Sequence, residues 1–251
     1  LAVQSEGVVA KEKLFAALWP DIDPHRAANR LRSAMSRLRT VLAEQVPGLS
    51  PDMVRGDRDG SCRLDTRIVQ SDVHQFVTLT QSMATLPSVE VKARYEQALA
   101  LYRDDLLTQP LYEWVHERED DGCSLHEHWR ETYFRITNEL ADQYRREGAF
   151  AAAVPLYKRL LEREPTLEDV VRDLYRCYRQ LGDLNALVRE DRRLRQALRE
   201  AYRDPDDPTD DPACYEPEPE TIALFEQIRA ELEAKRSERV SANGHRRASR
   251  G

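Results

Sequence analysis

Residues 140–165, LADQYRREGAFAAAVPLYKRLLEREP, decide the fold. Leu140, Tyr144, Gly148, Phe150, Ala153, Tyr157 and Pro165 fall at the spacing L-x3-Y-x3-G-x-F-x2-A-x3-Y-x7-P. Physically this is a pair of packed helices. The large residues fill the groove between them, Gly148 ends the first helix, Ala153 lets the second approach closely, and Pro165 stops it. A second copy begins 34 residues on, with Leu174, Tyr178, Gly182 and Leu184 in place of Leu140, Tyr144, Gly148 and Phe150.

A 34-residue period with this pattern is the signature of a tetratricopeptide repeat, so this part of the chain is expected to be an α-helical solenoid. A degenerate earlier copy, Ala98-x3-Tyr102-x7-Pro110, repeats the Ala153–Tyr157–Pro165 spacing, whereas the later copy carries Leu187 and Asp191 where Ala and Tyr are expected. Between copies, Leu111-Tyr112-Glu113-Trp114-Val115 opens an amphipathic helix that is read as continuing through Arg118, Leu125 and Trp129. Residues 204–220 hold eight acids, several Pro and no base, which predicts an irregular loop. Ile222, Leu224, Phe225, Ile228 and Leu232 then mark a helix from Pro219 to Ala234 that caps the solenoid, and residues 235–251 read as a disordered tail.

Upstream the pattern changes. Leu14, Phe15, Leu18 and Trp19 lie at helical spacing, Pro20 stops that helix, and Asp23-Pro24 offers an N-cap and a proline at the first helical position of a second one reaching Glu44. Two helices joined by a four-residue turn have the helix-turn-helix geometry.

At 100° per residue, taking Arg26 as zero, Leu31, Met35, Leu38 and Leu42 fall between about 120° and 180°, a narrow core stripe. Arg37 and Arg30 fall at about 20° and 40°, with Asn29, Ser33, Ser36 and Thr40 beside them and Arg32 and Arg39 on the flank. From His25 to Leu42 there are five Arg and no acid, whereas a merely solvated helix face would mix Glu with Arg. Arg can read guanine bidentately, Asn can read adenine, and Ser or Thr can bond bases or phosphates. The expected nucleic-acid contacts are Arg30, Ser33 and Arg37 in the major groove, Arg26, Arg32 and Arg39 on phosphates, and Asn29 and Thr40 on the same face. Met53–Arg55 and Cys62–Leu64 flank Gly56-Asp57-Arg58-Asp59-Gly60 as a short hairpin, a wing with Arg58 at its tip and acidic neighbours that weaken a phosphate contact there.

Charge follows the same division. The chain of 251 residues has a net charge of −7, yet residues 1–70 carry 11 Lys and Arg against 9 Asp and Glu. A basic stripe on an acidic body points to directed nucleic-acid binding. No apolar stretch reaches the roughly 18 residues of a membrane span. Four scattered Cys without a CxxC pair suit a reducing compartment, which implies the cytoplasm. No phosphate-binding, dinucleotide, zinc-protease or nucleophile-elbow motif occurs, so the sequence makes no case for an enzyme and calls for no cofactor. Cys123-x2-His126-x-His128 beside Glu119 provides too few ligands on one helix face for a metal site, and none is expected.

Leu14–Pro20, Asn29–Arg32 and Ser36–Arg39 together resemble the winged-helix segment of the antibiotic regulatory protein (SARP) type of transcriptional activator. Asp72–Phe76, Ala98–Leu107 and Tyr112–Glu119 resemble the junction and first half of that family's bacterial transcriptional activator domain (BTAD), and Glu218-Pro219-Glu220-Thr221-x2-Leu224 its closing segment. The resemblance implies a mostly α protein. Residues 1–71 would form a partial OmpR-like winged helix lacking its N-terminal sheet, with Leu1-Ala2-Val3 as the end of a preceding helix and the domain core exposed. Residues 72–234 would form the activator domain with its tetratricopeptide repeats. It further implies binding to repeats in double-stranded promoter DNA and contact with RNA polymerase; the helix-turn-helix class, which often binds as dimers, adds the expectation of a homodimer. The alternative is a helical-repeat interaction module of a larger multidomain signalling protein, whose winged helix no longer binds DNA.

Overall fold

The computed structural model describes residues 7–81, 83, 86–105, 107, 123–203 and 215–248. Contacts divide the chain into two compact units, Leu1–Tyr133 and Phe134–Gly251. The sequence placed a boundary at 71/72. The contacts instead divide within a long helix, because Trp129 and Tyr133 near its start pack on Phe76 and Tyr102 of the first unit. The Phe76 and Trp129 rings meet edge-on at 6.1 Å, and Tyr102 stacks on Tyr133 at 4.2 Å.

The first unit begins with β1 (Val8–Ala10), α1 (Lys11–Leu18) and α2 (Pro24–Gln45). Asp23 caps α2 as its sequence predicts, accepting from the His25 and Arg26 N–H groups at 3.0 and 3.3 Å. A 3-10 turn at Pro51–Met53 leads into the hairpin of β2 (Val54–Gly56) and β3 (Ser61–Leu64), paired antiparallel with Arg55 opposite Arg63. β1 adds to the other edge of β3, giving the order β1-β3-β2. That strand escaped the sequence reading because three residues are too few to show an alternation. Met53, Val54 and Leu64 form the core here, with Met35, Leu42, Leu49 and Val69 packed against it. One position of the expected core stripe moves: Leu38 is 43% exposed, and the close contacts of α2 are made by Ala27 and Leu31. Leu18, Val41, Val46 and Ile68 are exposed as well.

Ser71 caps α3 (Asp72–Thr80), which packs on α4 (Ser88–Leu101). Ala98 is fully buried in α4, but the helix stops before Tyr102, and Pro110 lies outside the described residues. The segment from Leu111 to Arg118 also lies outside them. The helix read as running on to Trp129 is corrected at its far end, where α5 (Leu125–Arg146) has its own start. The Ser124 N–H donates to Glu127 Oε2 at 2.9 Å and the Glu127 N–H donates back to Ser124 Oγ at 3.2 Å, a capping box.

The second unit is the helical repeat. The remainder of α5 pairs with α6 (Phe150–Arg163), and α7 (Glu168–Leu181) packs between α6 and α8 (Leu184–Tyr202). Gly148 and Gly182 have φ of 78° and 70°. Each turn closes the same way: Ala149 N–H donates to the Tyr144 carbonyl and Asp183 N–H to the Tyr178 carbonyl, at 2.9 and 3.1 Å. The 34-residue sequence copy is therefore a backbone copy too. Where the second copy departs, its side chains exchange roles. In the first pair Tyr157 of α6 donates to Asp142 of α5 at 2.7 Å. In the second, Asp191 of α8 stands at the position of Tyr157, and Tyr175 of α7 donates to it at 3.3 Å.

The final helix, α9 (Pro219–Ala248), buries Phe225, Ile228 and Leu232 and contacts both α7 and α8, as a terminal cap should. Arg179 grips Glu231 through Nε and Nη2 at 2.8 and 2.9 Å, and Arg172 donates to Glu218 and Thr221. The expected disordered tail is corrected for 235–248, which continue α9. Extending an established helix through Lys, Arg, Ser and Glu needs no new nucleation.

Candidate nucleic-acid interface

α2 is built to present side chains. Its cap and Pro24 fix its start, Ala27 and Leu31 seat one face, and no Gly or Pro interrupts the rest. Arg26, Asn29, Arg30, Arg32, Ser33, Arg37 and Thr40 are all exposed on the remaining surface. Arg26, Arg30 and Arg37 are four and seven positions apart along one face. Among the described residues these three guanidinium groups have no acid or hydrogen-bonding partner.

That contrasts with the repeat unit, where Arg135, Arg145, Arg172, Arg176, Arg179, Arg195 and Arg229 each pair with a carboxylate. Arginines that hold the repeat unit together find acids, while Arg26, Arg30 and Arg37 of α2 face solvent without one among the described residues.

Four of the expected contact residues are partly engaged within the protein. Arg32 donates to Asn29 Oδ1 at 3.0 Å, which occupies the acceptor Asn29 would offer a base. Thr40 donates to the Ser36 carbonyl at 3.2 Å. Arg39, read as a phosphate contact, is half-buried and donates through Nε and Nη2 to the Val54 carbonyl at 2.9 and 2.6 Å. It ties α2 to the wing. Its partner lies 15 positions on, so a helical wheel cannot show it.

The wing resolves its own acids. Asp57 takes Arg55 at 3.3 Å and Arg63 at 3.0 Å, one from each strand. Asp59 accepts from both the N–H and hydroxyl of Ser61, and these bonds hold its carboxyl below the usual range. Both acids are turned to structural use, while Arg58 between them is exposed. Sequence reasoning missed Lys11, whose Nζ donates to the Asp57 carbonyl at 3.1 Å. Lys11, Arg32 and Arg39 together line a hollow of about 380 Å³ between α2 and the wing. The basic residue that opens the first helix was the available signal.

Among the described residues no group of His, Cys, Asp and Glu could hold a metal ion, and no helix is long and apolar enough to cross a membrane.

The family model described as bacterial transcriptional activator domain matches residues 71–229. No curated protein matches the chain. Among solved structures, Mycobacterium tuberculosis EmbR in complex with a low-affinity phosphopeptide is similar in fold, with a TM-score of 0.59 and 20% identity. The match covers 97% of this chain and 61% of that one, so the chain spans less than two thirds of that structure's length.

Proposed function

The chain belongs to the bacterial transcriptional activator domain family, and from that premise we propose a cytoplasmic DNA-binding regulator of the SARP type, an activator, that reads repeats in promoter DNA through α2. The observation that carries this reading is the unpaired Arg26–Arg30–Arg37 face, free of acid in a protein of net charge −7. α2 enters the major groove with Arg30, Ser33 and Arg37 toward base edges, while Arg26, Arg32 and the wing's Arg58 meet phosphates. The helical-repeat unit contacts RNA polymerase or another protein partner. Regulation proceeds without catalysis by this chain and without a cofactor, and two protomers fit a repeated operator.

The test is selection from fragmented genomic DNA at two salt concentrations, followed by sequencing. Enrichment of a spaced repeat upstream of genes, lost with Arg30→Ala or Arg37→Ala at a cost of about 1–3 kcal/mol, supports the reading. Uniform or absent retention by folded protein overturns it in favour of an interaction module.

A further inference from the structure

We propose that the groove between the end of α6, the start of α7 and one face of α8 is a docking site for a cationic side chain, Lys or Arg, carried on an apolar segment of a partner protein, with Glu190 as its buried counter-charge. The inference deepens the partner-contact half of the proposed function and rests on it; DNA binding by α2 is independent.

Two neighbouring acids of α8 make the case. Asp191 and Glu190 are both buried, at 6% and 5% exposure. Asp191 is satisfied inside the protein, by Arg195 Nε at 2.9 Å and the Tyr175 hydroxyl at 3.3 Å. Glu190 is not. Its ion-pair partner is Arg193 Nη1 at 3.7 Å, too long for a hydrogen bond, on a side chain that is 58% exposed. A buried carboxylate without hydrogen-bond donors is costly, and a fold that needed only to pack would place an apolar residue there.

Glu190 lines a groove of about 230 Å³ whose other walls are apolar at Leu161, Val171 and Leu194 and polar at Arg193 and Gln196. A groove with apolar walls beside a buried carboxylate that accepts no hydrogen bond fits a side chain with an aliphatic stem and a cationic head. A purely apolar occupant would seal the carboxylate from water with only the Arg193 guanidinium at 3.7 Å to offset it, and an acidic one would be repelled. Glu200, also lining the groove, adds charge of the same sign, and Arg193 can swing outward as a guest cation arrives.

The experiment titrates the full chain with synthetic leucine-flanked heptapeptides whose central residue is Arg, Lys, citrulline or norleucine, following methyl resonances of Leu161, Val171 and Leu194. The expected result is movement of those methyls and binding at least roughly tenfold tighter for Arg and Lys peptides, as desolvated charge pairing predicts. Glu190→Gln should abolish the preference and raise Tm, because it removes a charge the free protein leaves uncompensated. Equal binding of citrulline, shifts confined to other surfaces, or no binding overturns the proposal on the unaltered chain alone. A lower Tm for Glu190→Gln overturns it too, by assigning Glu190 to structure. DNA retention read on the same samples separates failure of this site from failure of the regulator reading.

Discussion

Arg37 and Arg39 stand two positions apart on α2, and their surroundings give them opposite roles. Arg39 supplies two charged donors to the Val54 carbonyl, so Arg39→Ala leaves that acceptor without its partners. The expected loss is about 1–3 kcal/mol of stability, read by urea unfolding, with the salt dependence of DNA binding unchanged. Arg37→Ala should do the reverse, keeping stability and losing affinity; a variant pair that behaves alike would refute the division. Glu190 gives a pH prediction at the same scale. Burial raises its carboxyl above the ordinary 4.5, with Arg193, Lys158 and Arg189 opposing. The folded state thus takes up its proton more readily than the unfolded one. The destabilising contribution is fully present above the folded pKa and disappears as pH falls below the unfolded value. The Tm advantage of Glu190→Gln over the natural chain should therefore be greatest near neutrality and vanish below about pH 4, a difference that cancels every other titrating group common to both proteins.

At the level of elements, the two glycine turns show why a sequence period became a structural one. Gly182 ends α7 at φ 70° with nothing within 4 Å of where a Cβ would stand, so Gly182→Ala meets backbone strain and no clash. The cost should be about 1 kcal/mol, and Gly182→Asn should cost less because Asn tolerates the left-handed region. Equal penalties would mean the turn is held by something other than its backbone. The exchange of Tyr and Asp between the two pairs was half legible. Asp191 could be seen to break the pattern, but its compensation by Tyr175 needed the packing of α7 on α8. Elements set by local chemistry were readable: the cap of α2, the wing's Gly and Asp turn, the helix ends at Gly148 and Pro165. Elements that depend on distant partners were not: β1 exists because β3 has a free edge, and Leu38 is exposed because Ala27 and Leu31 already seat the helix. The start of α5 was legible in principle, since Ser124-x2-Glu127 is a capping box, although Leu125 and Trp129 also extend the amphipathic pattern that begins at Leu111.

Across the whole molecule, charge is segregated by job. Arg135, Arg145, Arg172, Arg176, Arg179, Arg195 and Arg229 of the repeat unit pair with carboxylates, whereas Arg26, Arg30 and Arg37 of α2 have no acid partner among the described residues. A net charge of −7 repels bulk polyanion, so association must come from the few cations α2 and the wing present rather than from the protein's average field. With Arg39 committed to the wing, the cations we propose for phosphates are Arg26, Arg32 and Arg58. Three neutralised phosphates per protomer give a slope of about −2.7 in log affinity against log salt, so a fourfold rise in salt should weaken binding about fortyfold. Removing one of them, as Arg26→Ala, should flatten the slope by about 0.9 for every sequence tested, operator or not. Arg30→Ala should leave the slope nearly intact and narrow the gap between operator and random DNA. Binding isotherms at four salt concentrations, with both DNA types and all three proteins, distinguish these effects. A slope that stays put in Arg26→Ala, or one as steep as a uniformly basic protein would give, would mean that the contacts lie elsewhere than on α2.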